Sequence, residues 1–148
     1  MPVMVVVQSE PDLLQMAGAL GSSRNLAPMS RLINHFGQHL PRLMECFRHG
    51  GGIPYAAFRP EVTDCMDDVW RRIYDEQLID GFIGAVPGIP ERLRAGIRVL
   101  DIGCGTGHAI NLMAREYPKS TFVGYDIGED AVATAKAEAR DKIGRAHV

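Results

Sequence analysis

The fold of this chain is decided by one short stretch, which reads Arg98-Val99-Leu100-Asp101-Ile102-Gly103-Cys104-Gly105-Thr106-Gly107. An apolar run stops abruptly at glycines spaced two apart and then passes into a helical pattern. Such a transition is typical of a buried strand, a tight loop and a helix N-terminus. Glycine at such a turn allows positive φ and leaves room where a Cβ would collide with a ligand. The stretch therefore predicts a place where a small molecule contacts backbone.

The pattern after this loop predicts an α/β fold. It indicates a strand over residues 97–102, a helix over about 108–117, a strand over 121–125 and then a second helix. Strands that alternate with helices at this spacing form parallel β-α-β units. We expect the first two strands of a Rossmann-like, doubly wound parallel sheet, preceded by a helical region.

The region before residue 90 is predicted to be helical. Apolar residues recur at three- and four-residue steps from Met29 to Phe47, and Pro41 inside this pattern predicts a kink or two abutting helices. We interpret this apolar stripe as core or as the contact face of a homodimer. A further helix is expected from near Pro60, followed by a turn-rich linker over residues 81–90. Its predicted apolar face comprises Val62, Met66, Val69, Trp70 and Ile73.

Composition excludes several classes of partner. The formal net charge of −2 gives no general attraction to nucleic acid or to an anionic membrane. The chain has three cysteines and no C-x-x-C pair, so neither a disulfide framework nor a zinc site is expected. We see no secretory leader or membrane-spanning run and therefore expect a cytoplasmic protein.

Two further groups of polar residues are interpreted as surface features. His35 and His39 stand one turn apart, as zinc ligands can, but no third ligand stands at a telling spacing. The acids at the start of the helix after Pro60 are explained by the helix dipole and by solvation rather than by metal binding. These acids are Glu61, Asp64, Asp67 and Asp68.

Two other acids indicate a cofactor that contains a nucleoside. Asp126 follows the second predicted strand, where an acid can accept hydrogen bonds from both ribose hydroxyls. A dinucleotide fingerprint needs its third glycine three places after the second, but His108 occupies that position. Asp101 precedes the first glycine, and its carboxylate suits a cofactor with an ammonium group better than one with a pyrophosphate. The spacing favours S-adenosylmethionine over NAD.

Residues 99–107 resemble motif I of the class I S-adenosylmethionine-dependent methyltransferases, and residues 122–127 are similar to the second-strand acidic motif of that family. The resemblance implies that Asp101 and the loop backbone hold the methionine end, that Asp126 holds the ribose, and that Ile127 packs on the adenine. The loop consists of Gly103, Cys104, Gly105, Thr106 and Gly107. We interpret Cys104 as a small filler rather than a nucleophile.

Residues 46–55 are similar to a segment of a subgroup whose catalytic domain follows an N-terminal winged-helix module. In that subgroup the Gly-Gly-x-Pro-Tyr loop would close over the cofactor, which implies that Tyr55 lies near the sulfonium. A cation beside an aromatic face is physically reasonable. We therefore assign residues 1–90 to a helical connecting region, a remnant of the winged-helix module with the cofactor-covering loop, and residues 91–142 to the start of the methyltransferase domain.

The resemblance also predicts that the chain is C-terminally truncated, since the family has a seven-stranded sheet. Residues 143–148 are interpreted as a non-native tail, because codons that can encode them match a sequencing-library adapter. The parent protein is expected to transfer a methyl group to a small-molecule acceptor. No general base can be named, and the chain alone, holding part of the cofactor site, is expected to have little or no activity.

Two alternatives stay open. One is a methyltransferase-like regulator that senses the cofactor and uses a winged helix for DNA or dimer contacts. The other is an NAD-dependent oxidoreductase.

Overall fold

A computed structural model describes residues 22–23 and 25–143 of the chain. Most of the predicted tail and the first part of the predicted helical region, residues 144–148 and 1–21, lie outside the described residues. The elements run in the order α1 (Ala27–Gln38), α2 (Leu40–His49), a 3₁₀ segment (Tyr55–Phe58), α3 (Glu61–Gln77), a π-helical segment (Leu78–Ile83), α4 (Ile89–Ala95), β1 (Arg98–Ile102), α5 (His108–Glu116), β2 (Thr121–Tyr125) and α6 (Glu129–Ile143). None of the described helices combines the length and apolar character needed to cross a membrane.

The two strands form a parallel pair joined by the crossover helix α5. Val99 pairs with Phe122, and Asp101 pairs with Gly124. The predicted class is confirmed: a helical region precedes a two-stranded parallel sheet, as at the start of a Rossmann-like methyltransferase fold. The carboxyl ends of parallel strands meet at one edge, so Ile102 and Tyr125 also stand side by side and bring the two following loops together.

The core lies on the α5 face of this sheet. Leu93, Ile110, Tyr117 and Phe122 form its buried cluster. Leu93 belongs to α4, which begins at Ile89, inside the predicted linker over residues 81–90; that linker is a turn only over residues 84–88, between the π-helical segment and α4. Its glycines and prolines mark a short turn followed by a helix, and Pro90 fits the first turn of α4 because no intrahelical partner is needed there.

The predicted break within the first helical pattern is confirmed, because α1 ends at Gln38 and α2 begins at Leu40, with Pro41 in its first turn. The interpretation of its apolar stripe as core is wrong for most of the stripe. Ile33 is 68% exposed and Phe47 is 83% exposed, and no residue of α2 is buried. The dimer interpretation stays a prediction.

Two other local expectations need correction. His35 and His39 are half-buried rather than exposed, because the 3₁₀ segment lies across α1 and brings Phe58 within 6.3 Å and 4.7 Å of their rings. In α3 the buried residues are Cys65 and Val69, while Met66 and Trp70, predicted on the same apolar face, are more than a third exposed. The reason is that this side of α3 faces a cleft.

Candidate functional site

The cleft has a volume of about 310 Å³ and lies where α3 and the 3₁₀ segment face the carboxyl ends of the two strands. Seven of the residues predicted from the sequence line it: Tyr55, Asp101, Gly103, Cys104, Gly105, Thr106 and Asp126. Gly107 and Ile127 lie outside its lining, and Ile127 is 81% exposed. A cavity of about 350 Å³ lies elsewhere, between α5, β2 and the end of α6, and contains none of these residues.

The loop glycines have two different structural roles. Gly103 and Gly105 have φ values of 83° and 55°, and a Cβ built on either would meet no atom within 4 Å. At Gly107 φ is 74°, and a Cβ would lie 2.5 Å from the Cβ of Ala135 on α6. The first two glycines therefore leave space at the cleft, whereas Gly107 allows the start of α5 to approach α6. A cofactor contact by Gly107 stays a prediction.

Asp126 is held rigidly at the end of β2. Its Oδ2 accepts a hydrogen bond of 2.8 Å from the backbone N–H of Gly105, and its Oδ1 accepts one of 2.8 Å from the backbone N–H of Gly128. Each carboxylate oxygen can accept more than one hydrogen bond. The carboxylate therefore fixes the glycine loop and retains capacity for ligand hydroxyls.

The cleft favours positive charge at its base. Burial raises the pKa of Asp101, and the neighbouring negative charge of Asp126 raises it further. Burial also raises the pKa of Tyr74, helped by the charge of Asp101. A nearby cation stabilises the charged form of a carboxyl group whose pKa is raised in this way. The pair of acids therefore suits an ammonium group and repels a pyrophosphate.

Cys104 is poorly suited to act as a nucleophile. Burial raises the pKa of its thiol, and the charges of Asp101 and Asp126 raise it further. The thiolate is the reactive form, so this environment suppresses reactivity. Its Sγ lies 2.8 Å from where a Cβ of Gly124 would stand, which shows that the side chain packs against β2.

Residues of α3 form a wall of the cleft that the sequence analysis did not identify as part of a site. Trp70 and Tyr74 stack with their ring centroids 5.5 Å apart, and both line the cleft with Met66. Asp67 accepts a hydrogen bond from the hydroxyl of Thr106 and is paired with Arg71 at 3.0 Å. The interpretation of Asp67 as a solvated acid is therefore wrong. The signal available in the sequence was the aromatic pair one helical turn apart.

A polar network fastens α3 to α5 and α6. His108 is 4% exposed, with Nδ1 2.6 Å from Oε1 of Glu138 and Nε2 2.7 Å from Oδ1 of Asp75. Arg71 donates to Oε2 of Glu138 at 3.0 Å. Burial raises the pKa of Glu138, but hydrogen bonds from Lys142, His108 and Arg71 outweigh burial and lower it to about 2. The network thereby positions the aromatic wall against the glycine loop.

Arg59 is a further cleft residue that the sequence did not indicate. Its guanidinium lies 3.8 Å from Asp126, donates a hydrogen bond to Asp130, and lies 5.6 Å from the ring centroid of Tyr55. No motif or periodicity distinguishes this arginine in the sequence. Its position becomes visible only when the 3₁₀ segment folds against the start of α6.

The comparison with protein families points to the same class that these residues indicate. Residues 93–144, which include β1, the glycine loop and Asp126, match the family described as a methyltransferase domain. This stretch of the chain is therefore methyltransferase-like in sequence as well as in fold.

Curated relatives match over a similarly short stretch. The chain is 38% identical over 42 residues to a malonyl-[acyl-carrier protein] O-methyltransferase of Bacillus cereus, covering 28% of this chain and 16% of that protein. It is 42% identical over 43 residues to an uncharacterized phycocyanin operon protein W of Pseudanabaena tenuis, covering 29% of this chain and 41% of that protein. The chain thus spans less than half the length of these relatives.

Proposed function

We propose that the protein transfers a methyl group from S-adenosylmethionine to a small-molecule acceptor, and that this chain supplies part of the cofactor site. The observation that carries the proposal is the position of Asp101 and Asp126 on either side of an open glycine loop, in one cleft. The match of residues 93–144 to a methyltransferase domain supports the same function.

The residues of the cleft fit this cofactor. The Asp101 carboxyl, whose pKa burial and Asp126 raise, would hold the ammonium of the methionine end. Gly103 and Gly105 leave open the space that side chains would fill. Asp126 would accept hydrogen bonds from the ribose hydroxyls with the lone pairs left by its two backbone contacts. Tyr55 lines the same cleft, where its ring can face a cation.

When bound, the cofactor supplies an activated methyl group on a sulfonium. The chain's contribution is then alignment and exclusion of water rather than strong acid–base chemistry. The stacked Trp70 and Tyr74 rings shield one side of the cleft from solvent. Asp67, through Thr106, holds the glycine loop in place on the same side.

Ligand titration tests the proposal. S-adenosylhomocysteine, titrated by calorimetry, should bind the chain, and at one hundred times its Kd it should raise the free energy of unfolding by about 2.7 kcal/mol. D101N should weaken binding by about tenfold or more, since it removes a charged partner of the ammonium.

D141N is the matched control, because Asp141 is an exposed acid on α6 away from the cleft, and its binding should equal that of the unmodified chain. Binding of NADH without any response to S-adenosylhomocysteine would overturn the proposal and favour an oxidoreductase. Equal losses in D101N and D141N would show that Asp101 has no special role.

A further inference from the structure

Arg59 connects the 3₁₀ segment to the acidic end of β2. The side chain is 13% exposed, although the residue lies in a connecting loop. Its guanidinium contacts the carboxylates of Asp126 and Asp130 and lies over the ring of Tyr55. An arginine fork is well suited to such a position, because it stays charged and presents several donors in a fixed plane.

Gly128 shows how closely the guanidinium is fitted. A Cβ built on Gly128 would overlap the guanidinium of Arg59. Gly128 is not among the described glycines with positive φ, so its backbone does not require glycine. The space above Gly128 is therefore filled by Arg59, and the backbone N–H of the same glycine donates to Oδ1 of Asp126.

We propose that Arg59 is a positioning residue that holds Tyr55 over the cleft and fixes the orientation of Asp126 for the ribose hydroxyls. The inference rests on the proposed function, because it concerns how tightly that same cleft binds the cofactor. The positive charge of Arg59 offsets the repulsion between Asp126 and Asp101 before a ligand arrives. Removing it frees Tyr55 and leaves Asp126 held by two backbone contacts alone.

A double-mutant cycle on the whole chain tests this role, with S-adenosylhomocysteine as the probe. R59A should raise the Kd by about tenfold, which is within the range of energies found between residues in direct contact. G128A should weaken it by a similar factor, because the added methyl displaces the guanidinium. In the R59A background, the G128A change should have no further effect on Kd, since the space is then empty. R59K should recover part of the affinity, because it keeps the charge but loses the fork.

R31A is the matched control, since Arg31 also pairs with an aspartate, Asp68 at 3.0 Å, but at an exposed position outside the cleft lining. Its Kd should be unchanged. Unchanged affinity in R59A, or independent losses in R59A and G128A that multiply in the double variant, would overturn the inference while leaving the proposed function intact. Loss of the cooperative thermal transition in both R59A and G128A would assign Arg59 a folding role instead, and absence of binding by the unmodified chain would overturn the proposed function itself.

Discussion

Gly107 and Gly105 should respond very differently to the same substitution. Alanine at either position meets the left-handed backbone strain of a positive φ, which costs about 1–2 kcal/mol. At Gly107 the new methyl would also lie 2.5 Å from the Cβ of Ala135, and overpacking of this kind adds about 1–3 kcal/mol. G107A should therefore lower the free energy of unfolding by about 2–5 kcal/mol, and G105A by about 1–2 kcal/mol.

Urea unfolding followed by far-ultraviolet circular dichroism measures both losses. The variant A135G removes the methyl that G107A would strike and leaves the Cα at position 135 as the nearest atom, 3.2 Å away. Adding G107A to A135G should therefore cost little more than the backbone strain of about 1–2 kcal/mol. S-adenosylhomocysteine binding should show the reverse order, with G105A the weaker binder among variants that remain folded. Equal destabilisation by G105A and G107A, or the same cost of G107A with and without A135G, would refute the division of roles between the two glycines.

Three further outcomes concern titration and reactivity. The folded pKa of Glu138 is lowered to about 2 from its ordinary 4.5, so its contribution to stability is present above pH 4.5 and is lost as pH falls towards 2. The urea midpoint of E138Q should therefore vary less than that of the unmodified chain over this pH range. Because the pKa of Asp101 is raised above 3.8, the affinity for S-adenosylhomocysteine should fall as pH drops through that raised value, and D101N should bind weakly with no such dependence. Because the pKa of Cys104 is raised, iodoacetamide at neutral pH should modify Cys46 before Cys104, and peptide mass spectrometry can follow both reactions. Faster labelling of Cys104 would contradict its packing role.

The β-α-β unit could be predicted from the sequence because its signals are local. An apolar run that ends in glycines fixes β1, Pro118 ends the region of α5, and the next apolar run matches β2 at Thr121–Tyr125. Turn signals were less reliable at residues 81–90, because glycine and proline are also compatible with a π-helical end and with the first turn of α4.

The polar lining of the cleft could be predicted only in part. Asp101 lies near the end of β1 and Asp126 directly follows β2, so the parallel topology brings both acids to the same edge of the sheet. Arg59 and Asp67 reach the glycine-loop side from other elements, across separations of 71 and 39 residues to their respective partners. No local pattern encodes such contacts, because they depend on how α3 and the 3₁₀ segment pack on the sheet.

The buried link between α3 and the β-α-β unit also has a consequence for how this protein can diverge. His108 and Glu138 lie almost wholly inside, and loss of either would remove a short hydrogen bond from a buried network that also includes Arg71 and Asp75. Such a position resists single replacement, because the intermediate sequence is less stable than either end point. Among homologues, these two positions are therefore expected to change together or to stay as they are, while the exposed partner Lys142 varies freely.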